Sequence, residues 1–438
     1  MTSHKIVKSL LFGFVLALGF AACKLEDLSD PNNPSSDAIV ANATLAEIQN
    51  VVDGIQSGMR NNLPIYFDGI GAIGREFWRF SGSDPRYTTD LLGGASSALD
   101  PGAFYTTNAY GSRYRAVKNC NILEAAIANT TASLTEAERR AATGFSKTIK
   151  ANELLLAFNQ QWTNGIRVDV ADPDRLGAFL DKAGSLAAIT QLLDAGSADL
   201  AAGGDKFPFK LREGFAGFDT PANFNKFNRA LAARVAAYSE QWDACINALN
   251  ASFLDKTGNF NTGCFYVYSK TGGDALNELY QAPTAVGEIR IVHPGFIADA
   301  EAGDARLAKA FLRADKPTQA GLSGEYGYNV YDSNTSPIAI VRNEELILLW
   351  AEANAQKGNL PEAVSALNVI RKANGLGDYS STDKNAILVE MLKQRRYSLY
   401  GEGHRWIDMR RYGRLGDLPK DRPDDDVWEK FPRPVNEN

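Results

Sequence analysis

Hydrophobic residues recur every three or four positions from Ala46 to Ile55, a spacing that predicts an amphipathic helix. The periodicity fades from Asn61 to Tyr110, where glycine, proline and aromatic residues dominate. A loop region of that length in a compact domain is either functional or disordered, and its aromatic content argues against disorder. We therefore predict a long structured loop region at about 61–110.

Four pairs of helices are predicted in the rest of the chain. They span Ser112–Asn129 with Leu134–Asn164, Asp181–Ala202 with Asn223–Asn250, Asn343–Gln356 with Pro361–Ala373, and Asn385–Leu399 with His404–Arg411. Residues 252–337, between the second pair and the third, are rich in glycine, asparagine, tyrosine and proline. This composition indicates loops with short strands.

The third pair has the features of a tetratricopeptide-like repeat. Gly358 ends its first helix, and Pro361 begins the second at a position where a missing N–H costs nothing. Small residues such as Ala351 and Ala363 let two antiparallel helices approach closely. Several such pairs stacked together form an α-solenoid with a continuous core. The predicted fold is therefore mainly α, with about four tetratricopeptide-like helix pairs carrying long irregular loops and short strands.

The N-terminus has the pattern of a bacterial lipoprotein signal. Lys5 and Lys8 precede an apolar run that ends in Ala21, Ala22 and Cys23. A basic start, an apolar stretch and small residues before the cleavage point are typical of secretion. Phe20 stands where lipoprotein signals usually carry leucine, and a plain secretory signal with an incidental cysteine is the alternative.

This interpretation divides the chain into three parts. Residues 1–22 are the signal peptide, and Cys23 becomes the lipidated first residue of the mature protein. The polar and acidic segment 23–45 predicts a solvated tether, because it contains too little apolar surface to fold alone. Residues 46–438 form a single domain.

Composition and charge exclude two classes of function. A net charge of −6 and a pI of about 5.4 argue against a nucleic-acid partner, since phosphate binding requires a basic face. No apolar run long enough to span a membrane follows the N-terminal signal. The cysteines beyond Cys23, namely Cys120, Cys245 and Cys264, have no zinc-site spacing. Whether Cys245 and Cys264 form a disulfide is left open, because spacing alone does not show that their side chains meet.

The stretch QRRYSLYGEGHRWIDMRRYG, residues 394–413, concentrates the groups that catalysis uses. However, only His293 and His404 remain once the signal peptide is removed, which excludes a His-rich metal site. Neither histidine lies near a G-x-S-x-G pattern, and the chain has no phosphate-binding glycine loop. We favour buried ion pairs instead, with Arg395 facing the core beside Glu402 as a candidate partner, and we predict no cofactor.

Several motifs resemble those of the SusD/RagB family. They are the lipoprotein signal, GDAR (303–306), RNEELILLWAEA (342–353), LNVIR (367–371), QRRYSLYGEGHRWIDMRR (394–411) and FPRPVNE (431–437). The motifs follow the family's order along nearly the whole mature chain, and the C-terminal block is the specific part.

The resemblance implies a lipid-anchored protein on the outer face of the outer membrane. It would capture an oligomeric nutrient, most often a glycan and sometimes a peptide, without catalysis. It would then deliver this ligand to a TonB-dependent (SusC-like) transporter. Ligand-binding residues are expected in the two loop-rich segments, at about 61–110 and 252–337, because the family places its ligand aromatics there.

Aromatic and planar polar side chains in these segments suit sugar binding, since aromatic faces stack on C–H surfaces and polar groups recognise hydroxyls. The alternation in 77–80 equally suits a half-buried strand. The candidate ligand-binding residues are Arg75, Trp78, Phe80, Tyr87, Tyr326, Tyr328 and Tyr331.

Three alternatives remain open at this stage. A peptide-capturing member of the same family would use the same loops, whereas a tetratricopeptide-like scaffold for protein partners would use a concave helical face. A glycoside hydrolase needs two carboxyls in a cleft, and the many acids of this chain do not exclude it. Asp169, Asp172 and Asp174 cluster as a calcium site would, but they lack a regular calcium-loop pattern, so we assign no metal.

Overall fold

A computed structural model of the protein describes residues 36–437. The predicted signal peptide (1–22), the lipidated Cys23 and the first part of the predicted tether lie outside the described residues. The last part of that tether is helical, because helix α1 spans Ser36–Asn42. The predicted start of the folded domain at residue 46 is therefore several residues too late.

Helices make up most of the described chain. After α1 they are α2 (Leu45–Gly58), α3 (Leu63–Ile73), α4 (Phe104–Asn129), α5 (Glu136–Gln161), α6 (Lys182–Ala201), α7 (Pro221–Tyr238), α8 (Trp242–Asn250), α9 (Pro294–Ala298), α10 (Asn343–Lys357), α11 (Leu360–Ala373), α12 (Lys384–Ser398) and α13 (Arg405–Arg411). Several begin at a residue whose side chain caps the free N–H groups of the first turn. Thr44 and Thr135 both form capping boxes with the glutamate three residues later.

The long helices pack against their neighbours in sequence. Helix α5 contacts both α4 and α6, α6 contacts α7, and α10 contacts both α11 and α12. Small residues permit the closest approaches: a methyl group at Gly144 of α5 would lie only 2.6 Å from Leu200 Cγ of α6. The prediction of a mainly α fold with tetratricopeptide-like helix pairs is confirmed. No helix in the described range is long and apolar enough to cross a membrane.

Short antiparallel strands fill the irregular segments. They are β1 (Phe77–Ser81), β2 (Gly263–Tyr266), β3 (Glu288–Val292), β4 (Ala310–Leu312), β5 (Thr318–Gln319), β6 (Leu322–Ser323), β7 (Tyr326–Tyr328) and β8 (Ile338–Arg342). One sheet has the order β1-β3-β7-β4, while β2 pairs with β8 and β5 with β6. Strands far apart in sequence therefore join the two predicted loop segments into one structure.

The loop predicted at 61–110 is partly wrong, because it contains α3 and the start of α4. Helix α3 is buried along almost its entire length, with Ile65 its one partly exposed residue. A helix that is apolar on all sides has no amphipathic period, so the pattern of its sequence does not reveal it. The irregular region begins only at Gly74 and ends before Phe104.

Candidate functional site

The residues 394–411 form a buried network of ion pairs rather than an open cleft. Arg395 Nε donates to Asp408 Oδ2 at 2.6 Å, and Arg411 pairs with both Asp408 and Glu352 at 2.9 Å. Burial would raise the pKa of Asp408, but Arg395 and Arg411 hold it below its ordinary value. The carboxylate therefore stays charged and joins helices α12 and α13.

Glu402, the expected partner of Arg395, pairs instead with Arg342 at 2.8 Å. The sequence prediction was wrong because the true partner Asp408 lies on the next helix, thirteen residues away. The neighbouring His404 is buried, and this burial lowers its pKa to about 4. A neutral imidazole enclosed by the core fits a structural role.

Arg75 and Trp78 are enclosed by the C-terminal segment. Arg75 is 1% exposed and donates to the backbone carbonyls of Pro419 and Asp426. Trp78 is 4% exposed, and its indole N–H donates to Asp421 at 2.9 Å. Phe80 is also buried, with its ring stacked parallel to that of Trp78. This burial does not support the predicted ligand contacts of these three residues; they anchor β1.

Tyr328 and Tyr331 are likewise buried. The ring of Tyr328 packs edge-on against Phe77, and its hydroxyl lies where a side chain at Gly401 would be. Gly401 has a φ of +77°, so both its backbone conformation and its contact with Tyr328 require glycine. The two tyrosines therefore join the sheet to the 394–411 stretch, and their burial does not support ligand contact either.

Tyr87 keeps part of its ring at the surface. It packs edge-on against Phe104, the first residue of α4, with ring centroids 5.2 Å apart. Two guanidinium groups flank the pair, since Arg79 lies 5.3 Å from the Tyr87 ring centroid and Arg86 lies 4.8 Å from that of Phe104. We call these four residues the loop face. The sequence prediction did not include Phe104, because the aromatic residues at this point begin a helix.

Charged neighbours hold the loop face in place. Arg86 is fixed by Asp84 at 2.6 Å, and hydrogen bonds from Arg86 lower the pKa of Asp84. Arg79 contacts Asp68 at 3.3 Å and Glu288 at 2.9 Å, and Arg290 also binds Asp68. The guanidinium groups are therefore largely neutralised, so the loop face presents planar hydrogen-bonding groups beside aromatic rings rather than a net positive charge.

Tyr326 also remains half-buried. It lies in β7 opposite Leu312 of the edge strand β4, and Leu312 is 67% exposed. Of the seven residues predicted to bind ligand, only Tyr87 and Tyr326 keep surface from which they can reach a ligand. Their role in binding stays a prediction.

The remaining candidate features do not form a reactive site. Cys120, Cys245 and Cys264 are buried free thiols, so the open question of a Cys245–Cys264 disulfide is answered against it. Asp172 pairs with the exposed Arg175 at 2.8 Å. Within residues 36–437 no cluster of His, Cys, Asp and Glu is arranged to hold a metal ion.

These features define a class of protein: a tetratricopeptide-like helical scaffold with an inserted sheet and a surface loop face. Residues 321–436 match the model of the SusD family. A comparison with curated protein sequences finds no match.

Solved structures share the fold over most of the chain. A SusD superfamily protein from Bacteroides vulgatus superposes with a TM-score of 0.69 at 15% identity, covering 90% of this chain and 96% of its own. Surface glycan-binding protein A from Bacteroides thetaiotaomicron, solved with laminarihexaose, gives 0.69 at 14% identity and covers 90% and 97%. A laminarin-binding SusD-like protein gives 0.58 at 15% identity and covers 90% and 96%. The C-terminal part of the chain thus matches the SusD family model, and the fold over most of the chain is shared with solved SusD superfamily proteins.

Proposed function

We propose that this protein captures an oligosaccharide at the cell surface and delivers it to a TonB-dependent outer-membrane transporter. The observation that carries the proposal is the loop face, a pair of half-buried aromatic rings beside fixed planar polar groups on a SusD-type scaffold. Two proteins of the same fold are described as binding laminarihexaose or laminarin, which supports a glycan over a peptide.

The chemistry of the loop face suits a neutral sugar. The rings of Tyr87 and Phe104 offer apolar surface to the C–H groups of a pyranose. Arg86 and Asp84 offer a donor and an acceptor for hydroxyl groups, and Arg86 keeps 42% of its side chain exposed. Tyr326, in strand β7 of the sheet that contains β1, is a further half-buried aromatic residue.

Delivery to the transporter would follow from the lipid anchor. The lipid on Cys23 would hold the protein at the outer membrane, where a SusC-like barrel could receive the ligand. Among the described residues, His293 and His404 are both buried, and His293 is bonded to Asp421 at 2.8 Å. Both histidines therefore serve the internal structure.

Calorimetric titration of the soluble chain from Lys24 tests the proposal. Laminarihexaose and other neutral hexasaccharides are the ligands, with peptide digests alongside. We expect saturable binding of a hexasaccharide that is weakened in Tyr87→Ala and Phe104→Ala. Tyr379→Ala is the control, since Tyr379 is another half-buried tyrosine with a guanidinium 6.0 Å from its ring centroid, outside the loop face. Binding of peptides alone would contradict the glycan proposal.

A further inference from the structure

A groove opens on the helical side of the molecule, between the first half of α6 and the end of α7. Its volume is about 820 Å³, and it is lined in part by Thr163, Lys182, Leu186, Gln191, Tyr238 and Gln241. This volume lies within the range of sites that bind small molecules. None of the four residues of the loop face lines this groove.

A second hollow of about 260 Å³ adjoins the groove. The two share Lys182, Tyr238 and Glu240 as lining residues, and the second reaches on to Trp242 and Tyr412. An elongated ligand would therefore find one continuous surface, which runs from α6 past the end of α7 to the ends of α10 and α13.

Cation–ring contacts and two positive φ angles mark the wall formed by Trp162 and Glu240. Two cationic side chains contact the Trp162 ring, with Lys182 Nζ 4.0 Å and the Arg410 guanidinium 4.1 Å from the ring centroid. Trp162 has a φ of +48° and Glu240 a φ of +57°, both in the region that favours glycine. Strained backbone of this kind persists only where the surrounding structure enforces it, and it is enriched at binding sites.

The rim combines neutral polar side chains with the charged Asp181, Lys182 and Glu240. Thr163, Thr190, Gln191 and Gln241 supply hydroxyl and amide groups, which both donate and accept hydrogen bonds. Arg411, in the adjoining hollow, is already neutralised by Glu352 and Asp408 and offers no free charge to an anion.

The floor is apolar and open. Leu186 and Tyr238 lie at its base, and Ala183 and Ala187 leave space above it because their side chains are small. Trp242, just beyond the end of α7, is half-buried and lines the second hollow. Apolar surface framed by hydrogen-bonding groups, both neutral and charged, suits a sugar, whose C–H faces stack on apolar surface and whose hydroxyls donate and accept hydrogen bonds. Because acidic and basic side chains both line the groove, it has no single sign of charge that would select an ionic ligand.

We infer that this helical groove is a second binding site for a neutral oligosaccharide, separate from the loop face. The inference rests on the proposed function, since it assumes that the protein binds glycans. It adds that the helical scaffold also holds sugar.

Filling the groove with a large side chain tests the inference. Ala187→Trp puts an indole into the groove, whereas Ala198→Trp makes the same change at an exposed position of α6 that does not line it. Both variants carry the same small change in helix propensity, so a difference between them reports on the groove. Each is titrated by calorimetry with laminarihexaose and with maltohexaose, beside the wild type and Tyr87→Ala.

We expect the wild type to bind two hexasaccharides per chain and Ala187→Trp to bind one, with Ala198→Trp unchanged. Equal stoichiometry in Ala187→Trp and the wild type, with loss of binding in Tyr87→Ala, would overturn the groove site and leave the proposed function intact. If Ala187→Trp loses all binding and Tyr87→Ala does not, the result would support the groove as a binding site and show that the hexasaccharide does not bind at the loop face. No binding of either hexasaccharide by the wild type would overturn both, and binding of peptides lost only in Ala187→Trp would overturn the sugar assignment.

Discussion

Replacing Asp408 with asparagine tests whether the 394–411 stretch is internal structure. The side chain of Asp408 is 5% exposed and lies between Arg395 at 2.6 Å and Arg411 at 2.9 Å. Asp408 is the only carboxylate within ion-pair distance of Arg395 in the part of the chain that the structure describes. The substitution therefore leaves a fully buried guanidinium without an ion-pair partner.

The magnitude follows from this loss of charge pairing. Breaking a buried ion pair by removing one partner costs roughly 3–5 kcal/mol of the free energy of unfolding. Arg411 is less affected, because Glu352 still binds it at 2.9 Å. Since Arg395 Nη1 already lacks a hydrogen-bond partner, the remaining groups offer little compensation. We expect a loss near the middle of that range.

Urea denaturation followed by circular dichroism measures the effect. Asp417→Asn is the matched control, because Asp417 also pairs with an arginine, Arg414, at 2.6 Å, but its side chain is 53% exposed. Exposed pairs contribute about 0–1 kcal/mol, so the control should change stability little. Equal stability of Asp408→Asn and the wild type would refute the argument that this network holds the fold together.

Three further predictions concern the glycine, acid and thiol groups of the core. Gly401→Ala should lower the midpoint of thermal unfolding by more than Gly413→Ala does. Both glycines have positive φ, but only Gly401 has a neighbouring side chain where the added methyl group would lie. Equal shifts of the two midpoints would contradict this. Burial raises the pKa of Glu76 from 4.5 to about 7, so stability falls as the pH rises through that window. Glu76→Gln should remove this loss, so above pH 7 its free energy of unfolding in urea titrations should exceed that of the wild type by up to about 3 kcal/mol. A difference that does not change with pH would contradict the assignment. Cys245 and Cys264 should both react with a thiol reagent under non-reducing conditions, but only after unfolding. If neither thiol reacts in the unfolded protein, the two cysteines form a disulfide.

Helix pairs with clear start and stop residues were predictable from the sequence. The third pair was expected at 343–356 and 361–373, and the structure has it at Asn343–Lys357 and Leu360–Ala373. Gly358 ends the first of these helices in the left-handed conformation, as its position suggested. Local rules sufficed here because Gly358 and Pro361 mark a short turn between the helices, although α10 is buried from Asn343 to Ala355 and only α11 exposes a polar face.

The candidate site was less predictable, because burial depends on contacts between distant residues. Trp78 and Phe80 have the composition of a sugar platform, but Trp78 is covered by Asp421, which lies 343 positions away in sequence. Tyr87 packs against the half-buried Phe104, which begins a helix that the sequence pattern started only at Ser112. Local alternation identifies aromatic residues on a strand, whereas the tertiary structure decides which of them remain accessible.

One experiment addresses the central claim, that the protein binds glycan without cleaving it. The soluble chain from Lys24 is incubated with laminarihexaose, binding is measured by calorimetry, and the sugar is then analysed for shorter products. The account predicts saturable heat, weakened by Tyr87→Ala, and an intact hexasaccharide. Steady release of shorter sugars that stops when a single carboxylate is changed would contradict it.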